Sequence, residues 1–260
     1  MIAAVSGIVG ARNLLVEWTA RTLRARYQQS VLGWLWAIIQ PAAQASIFAV
    51  VFTHVVPVDT GSTPYLLFVF VATAPWAFLS ASLTDMTGSI VDNMALVNKV
   101  YFVRSSLPIA TMLARLADLG VTLVCAIVLA TVWGLQPLSP AIVILPVVVA
   151  VQMLLIVGLG LAAAALNVFV RDVRSILQLG VQLWFYLSPV LYPVERVPAA
   201  LRRAYEINPM VGILDAYRAV LLHGALPDAS FAVAAVVSAA LAVAGSAVFT
   251  RLESRFADVI

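Results

Sequence analysis

Three ionisable residues stand inside otherwise apolar runs: Asp85, Arg115 and Asp118. Charges in a membrane-spanning segment are costly and are kept for pairing or for function. Arg115 and Asp118 are three apart and share a face on any helix, near one end of their run, and Asp85 lies near the end of its own. Two readings stand: a structural ion network between helices, or a role in gating or substrate contact, with a membrane-embedded enzyme using all three as a remoter variant. Residue types exclude other chemistries. The single lysine, Lys99, has no glycine ahead of it at the spacing of a GxxxxGK[ST] phosphate loop, so ATP is not bound in that manner. A Ser/His/Asp set, an HExxH run and carboxylates paired at a membrane face are likewise missing. Cys125 is the only cysteine, which rules out an internal disulfide, and neither His54 nor His223 has a second ligand at metal spacing.

The elements that must hold these residues are set by hydropathy. With 63% hydrophobic and 10% charged residues and a mean hydropathy of +1.04, the chain lacks the polar groups to cover a soluble globule of 260 residues. The net charge of +3 does not point to nucleic acid, because the basic residues sit in short runs at the ends of apolar segments. The stretch from Arg21 to Pro41 turns from a basic segment into an apolar span, and after Arg26 no charged side chain appears until Asp59. Crossing a hydrocarbon core takes about 20 apolar residues. Runs of that kind at 33–56, 65–88, 110–134, 141–168, 176–192 and 229–250 predict six transmembrane helices in an all-α integral membrane protein of one domain, 1–260. The linkers carry breakers, among them Pro57, Pro64, Pro137, Pro140 and Pro193.

Orientation follows from the basic residues. Eleven Lys and Arg fall on one side and four on the other, Arg196, Arg202, Arg203 and Arg218, so the first side is expected to be cytosolic, with both termini there. The start, MIAAVSGIVGARN, lacks the positive region of a cleaved signal and is expected to be retained. Residues 12–28 have a polar arc of Asn13, Glu17, Arg21 and Arg24 against Leu14, Leu15, Trp18 and Ala25, which predicts an amphipathic helix in the interface. It either lies on lipid and sets topology, or gives its polar arc to a protein. The segment 193–228 reads as two short amphipathic helices broken at Asn208-Pro209, a re-entrant pair before the last span.

Gly158, Gly160 and Ala162 to Ala165 form a small-residue surface, for helix packing or for a pore wall. Aromatics crowd the first two spans and the fifth. They form interfacial belts, or, for the deeper Trp76, Phe78, Trp184 and Tyr186, faces on which sugar rings could slide.

Several segments in order resemble the permease subunit of bacterial type-2 polysaccharide ABC exporters, the group that exports O-antigen and teichoic acid precursors. They are Arg24-Ala-Arg-Tyr27 through Ser30, Leu32-Gly33, Leu35-Trp36 and Pro41; Leu96 to Phe102; Arg171-Asp172-Val173; Ser188-Pro189 and Tyr192-Pro193; Asn208-Pro209-Met210 and Tyr217-Arg218; and Glu253 with Arg255 to Asp258. Where the family often has proline after the phenylalanine, this chain has Val103.

The resemblance implies a homodimer in the bacterial inner membrane, paired with two copies of an ATPase that binds ATP and Mg, with no cofactor in this chain, moving a lipid-linked glycan. It implies an ATPase-facing helix at 12–28 with Glu17, Arg21 and Arg24. It implies a coupling helix at 93–102 with Asn93, Leu96, Val97, Lys99, Val100, Tyr101 and Phe102, and a second contact at Arg171 and Asp172. The glycan channel is expected at Trp34, Trp76, Phe78, Trp184, Phe185, Tyr186 and Tyr192, and an external gate at Asn208, Pro209, Tyr217 and Arg218. A type-2 permease for a drug or simple lipid is the alternative within transport; a membrane enzyme or scaffold is the alternative outside it.

Overall fold

Backbone polar groups in lipid must pair within their own segment, so long apolar runs fold as helices. The computed structural model describes residues 12–28, 30–55, 57–61, 63–97 and 102–256, and has no strand among them. The α-helices are α1 (Arg12–Tyr27), α2 (Leu35–His54), α3 (Tyr65–Gly88), α4 (Met94–Val97), α5 (Ser106–Val132), α6 (Leu145–Phe169), α7 (Val173–Tyr186), α8 (Ala199–Glu206), α9 (Pro209–Leu222) and α10 (Ala229–Glu253). Five of them, α2, α3, α5, α6 with its leading turn from Pro140, and α10, are long and apolar enough to cross a membrane.

The run expected to span over 176–192 is the exception. It is helical only over Val173–Tyr186, 14 residues or about 21 Å of helix against a hydrocarbon core of about 30 Å. Pro189 explains the stop, because it supplies no N–H to the ladder and disfavours helical backbone at Ser188. The chain turns there and returns through α8 and α9. Asn208 starts α9 by accepting from the Met210 N–H at 3.1 Å, with Pro209 in the first turn. Asp228 starts α10 in the same way through the Ser230 N–H at 3.0 Å.

α3 is the centre, packed against α2, α5, α6, α7 and α9, and α6 pairs most extensively with α10. Small residues set that pairing. A Cβ on Gly245 would lie 1.8 Å from the Gly158 carbonyl oxygen, and one on Gly158 would lie 2.4 Å from the Leu241 backbone. Gly160 leaves the same kind of room for Met86 of α3. This packing role is the first of the two readings the small-residue surface allowed. α3, α5, α6, α7 and α10 share one end, called near, where α1 lies against α5, Asn167 of α6 donates to the Thr87 carbonyl at 3.0 Å and Phe169 meets Phe256. At the opposite, far end Tyr65 donates to the Leu191 carbonyl at 2.7 Å and Arg218 to the Val190 carbonyl at 2.9 Å.

Candidate functional site

The near end holds a four-charge cluster. Asp85 comes from the last turn of α3, while Arg115 and Asp118 sit on one face of α5. Asp85 Oδ2 accepts from Arg115 Nε at 2.7 Å and from Arg26 Nη2 at 2.9 Å; Asp118 Oδ2 accepts from Arg26 Nη1 at 3.0 Å and from Arg115 Nη1 at 3.4 Å. The fork of Arg26 therefore reaches one carboxylate on each of two helices, and the cluster is neutral with two charges of each sign. Tyr27 completes it by donating its hydroxyl to Asp118 Oδ1. Burial, and then that hydrogen bond to a carboxylate, push the Tyr27 phenol up to about 12, so it stays a donor at neutral pH. These side chains retain 17–26% exposure, enough to reach water. Asp85 Oδ1 also accepts from Arg115 Nη2 at 3.2 Å, so every carboxylate oxygen is engaged and the cluster can clamp a helix.

Arg26 and Tyr27 belong to α1 and were not among the expected residues. A signal existed. Arg26 follows Arg24 by two residues, about 200° around a helix, so it leaves the polar arc and faces the spans. Grouping it with the other basic residues as a topology marker hid that.

The rest of α1 exposes Glu17, Arg21 and Arg24. They line an open groove of about 1090 Å³ with Trp18, Tyr27, Gln28 and Trp34. Arg21 lies 4.7 Å above the Trp18 ring, and Tyr27 stacks on Trp34 at 4.9 Å. Asn93 is in a short 3-10 turn and donates to the Ser89 carbonyl at 2.9 Å. Leu96 is half-buried, Val97 is buried and Phe102 packs on the core. Lys99, Val100 and Tyr101 lie outside the described residues, as do Ala257 and Asp258. Arg171 and Asp172 are exposed between α6 and α7, at the same end.

The seven channel aromatics differ in exposure. Trp76, Phe78 and Phe185 are enclosed, Trp184 and Tyr192 are half-buried, and Trp34 and Tyr186 are 41% and 57% exposed. Trp76 meets Trp184 and Phe185 edge-on, with ring centres 5.8 and 5.4 Å apart. The Trp184 indole donates to Asn208 Oδ1 at 3.0 Å, and Tyr192 donates to the Tyr186 carbonyl at 3.1 Å. The groove along α1 takes Trp34 from this set, and a far-end hollow lined by Asp59, Phe68, Asp215 and Arg218 takes none.

The four gate residues are tied into the interior. Asn208 also donates to Ser188 Oγ at 3.0 Å, so it joins the end of α7 to the start of α9. Pro209 is buried. Tyr217 is fully buried and donates to Gln152 Oε1 at 2.8 Å, and Gln152 in turn donates to the Pro75 carbonyl at 2.7 Å. Arg218 stacks 3.6 Å from the Phe68 ring centre, with Asp215 3.7 Å from its Nη1. Burial holds the Asp215 carboxyl up to about 6, although Arg218 pulls it the other way. Gln152 was not anticipated, since nothing local in its apolar run reveals a partner 65 residues away.

Apolar spans packed beside a polar helix leave the protein's class open, and sequence comparison decides it. Residues 14–222 match the ABC-2 type transporter family. The chain belongs to that family. It is 33% identical to an O-antigen export system permease protein, RfbA, of Myxococcus xanthus over the full length of both chains. It is 27% identical to the protein of that name from Klebsiella pneumoniae over 95% of each, and 23% identical to the polysialic acid transport protein KpsM of Escherichia coli over 80% of this chain and 81% of that one. As an ABC-2 family member, this chain is a multi-pass membrane permease subunit.

Proposed function

We propose that this chain is the permease of an ATP-driven exporter that carries a lipid-linked polysaccharide, of the O-antigen type, across the bacterial inner membrane. The observation that carries the proposal is 33% identity, along the whole of both chains, to a relative named an O-antigen export system permease protein. The motor is a separate ATPase, two copies to two permeases, holding ATP and Mg; this chain supplies no cofactor. α1, the segment 93–102 and the turn at Arg171 and Asp172 receive it, and both termini lie on its cytosolic side. Exposed apolar faces on α2 and α7 support pairing of two copies around the glycan path. ATP binding on the partner can move the permease only if contacts at 93–102 differ between the two states.

Purification of the tagged chain from its host in mild detergent tests this directly. A P-loop ATPase recovered near one-to-one is the expected result, and a stable lone protein would overturn it. The paired change Tyr101→Ala with Phe102→Ala should leave the spans inserted while weakening assembly or separating hydrolysis from export. Normal coupled export in that variant would remove the coupling role from 93–102.

A further inference from the structure

The long helices treat their side-chain amides in two ways. α3, α5, α6 and α10 hold two between them, Gln152 and Asn167, and both are buried and donate to carbonyls of α3. α2 and α7 hold two each, Gln40 with Gln44 and Gln178 with Gln182, and all four are exposed. Each pair is four residues apart and shares one side of its helix. The pairs also match in depth. Gln40 and Gln44 follow the first residue of α2, Leu35, by five and nine positions, and Gln178 and Gln182 follow the first residue of α7, Val173, by the same steps. Both helices run from the near end, and Phe48 of α2 meets Phe185 of α7, thirteen and twelve positions in, with ring centres 5.9 Å apart. The two helices are therefore aligned to about one residue, a rise of about 1.5 Å. At about 100° per residue, Gln44 lies about 40° around from Phe48, and Gln178 and Gln182 lie about 20° and 60° around from Phe185. The amides thus border the α2–α7 seam on the near side of that aromatic contact.

Hydrocarbon offers an amide neither donor nor acceptor, so exposed amides at span depth call for a neighbour that hydrogen-bonds. A glutamine side chain presents both N–H donors and a carbonyl acceptor, and a sugar hydroxyl likewise gives and takes. No charged residue interrupts α2 between Leu35 and Thr53 or α7 between Ser175 and Tyr186. A run of hydroxyls therefore meets neutral rungs of similar, modest strength and is trapped at none of them. The buried aromatics expected on the path cannot take this role, because Trp76, Phe78 and Phe185 have no free face to offer.

We propose that Gln40, Gln44, Gln178 and Gln182 touch the substrate, forming an amide ladder that passes the hydroxyls of the glycan through the depth of the hydrocarbon. This rests on the exporter reading above and names the groups that meet its cargo. The exposed apolar residues of the same helices, such as Ile47 and Leu183, are left for lipid or for the second copy.

The test uses the complex purified with its ATPase and reconstituted in vesicles with the host's lipid-linked glycan. In a parent whose one native cysteine is removed, Cys125→Ala, Gln44→Cys and Gln182→Cys are introduced singly and exposed to a membrane-impermeant thiol reagent. Both should react many times faster than Val236→Cys, 70% exposed on α10, because a thiol held in hydrocarbon stays protonated. With glycan engaged, their labelling should slow about fivefold or more. Gln44→Leu with Gln182→Leu should keep ATPase recovery and the number of permease copies while glycan delivered per ATP falls about fivefold or more. Gln44→Asn with Gln182→Asn, which keeps the amides, should regain part of that loss. Labelling no faster than at Val236→Cys, or fast labelling that the glycan leaves unchanged, would overturn the proposal. So would wild-type delivery in the leucine variant, or a changed copy number there, which would mean that the amides pair between copies. A wild-type complex that delivers no glycan would overturn the exporter reading instead.

Discussion

α2 and α3 are consecutive spans of nearly equal mean hydropathy, 1.7 and 1.9, yet most of the apolar stretch of α3 is buried inside the chain and little of that of α2. The contrast extends to the regions around them. α3, α6, α9 and α10 form a block closed by glycine contacts and buried hydrogen bonds. α2 and α7 turn Ile47, Val50, Ile176, Leu179 and Leu183 outward. Apolar character earmarks a helix for lipid or protein without distinguishing them. α3 and α9 use it inside one chain, α6 and α10 bury mainly the face on which their glycines meet, and the α2–α7 side leaves it for lipid or for the second copy proposed above.

The sharpest way to break this comparison is at the block. Gly245→Leu must push a side chain into the Gly158 backbone, so a loss of about 3 kcal/mol or more is expected, seen as failure to recover monodisperse protein. Ile47→Ala on α2, similarly apolar but 65% exposed, should leave the yield unchanged. Equal losses would erase the distinction.

Next in size is the clamp that ties α1 to α3 of the block and to α5. Arg26→Ala leaves two carboxylates facing one guanidinium. The penalty for a fully buried pair runs to 3–5 kcal/mol, and the partial exposure here reduces it to about 2 kcal/mol. Thermal unfolding in detergent measures the loss, and limited proteolysis should locate it at 12–28. Adding Asp85→Asn, which restores neutrality, should recover part of the stability.

Asn208→Ala removes a cap and the acceptor of Trp184, with an expected cost of about 1 kcal/mol. Trp184→Ala should cost less when combined with it than alone, because they share one bond. Independent, additive losses in the double-mutant cycle would contradict a shared far-end joint.

The last test concerns pH, where the effect is spread over a broad range. The Asp215 carboxyl is raised from 3.8 to about 6 in the folded chain, so folding takes up a proton within that window and stability falls as pH rises through it. Melting should be higher at the acid end of the window, and Asp215→Asn should flatten the dependence.

Much of this arrangement was legible in one dimension. Long apolar runs and their proline breaks mark α2, α3, α5, α6 and α10, because spanning length and backbone pairing are local requirements. The break at Asn208-Pro209 was legible for the same reason. The shortness of α7 was harder to see, since Leu187, Val190 and Leu191 continue its hydropathy after Pro189 has ended its hydrogen bonding. Asp85, Arg115 and Asp118 announced themselves as charges in apolar runs, whereas their fourth partner was disguised among interfacial arginines. A partner chosen across the fold, such as Gln152 for Tyr217, leaves no mark in either residue's neighbourhood.

The fork of Arg26 also sets an order of events during synthesis. Its second carboxylate, Asp118, lies 92 residues further along the chain, a delay of about 5–20 s at ordinary rates of elongation. Until α3 and α5 have been made and inserted, α1 has nothing to dock on and must wait at the membrane surface with its arginine solvated. The first of the described helices to be made is thus among the later ones to be seated, and its arrival certifies that α3 and α5 are in place.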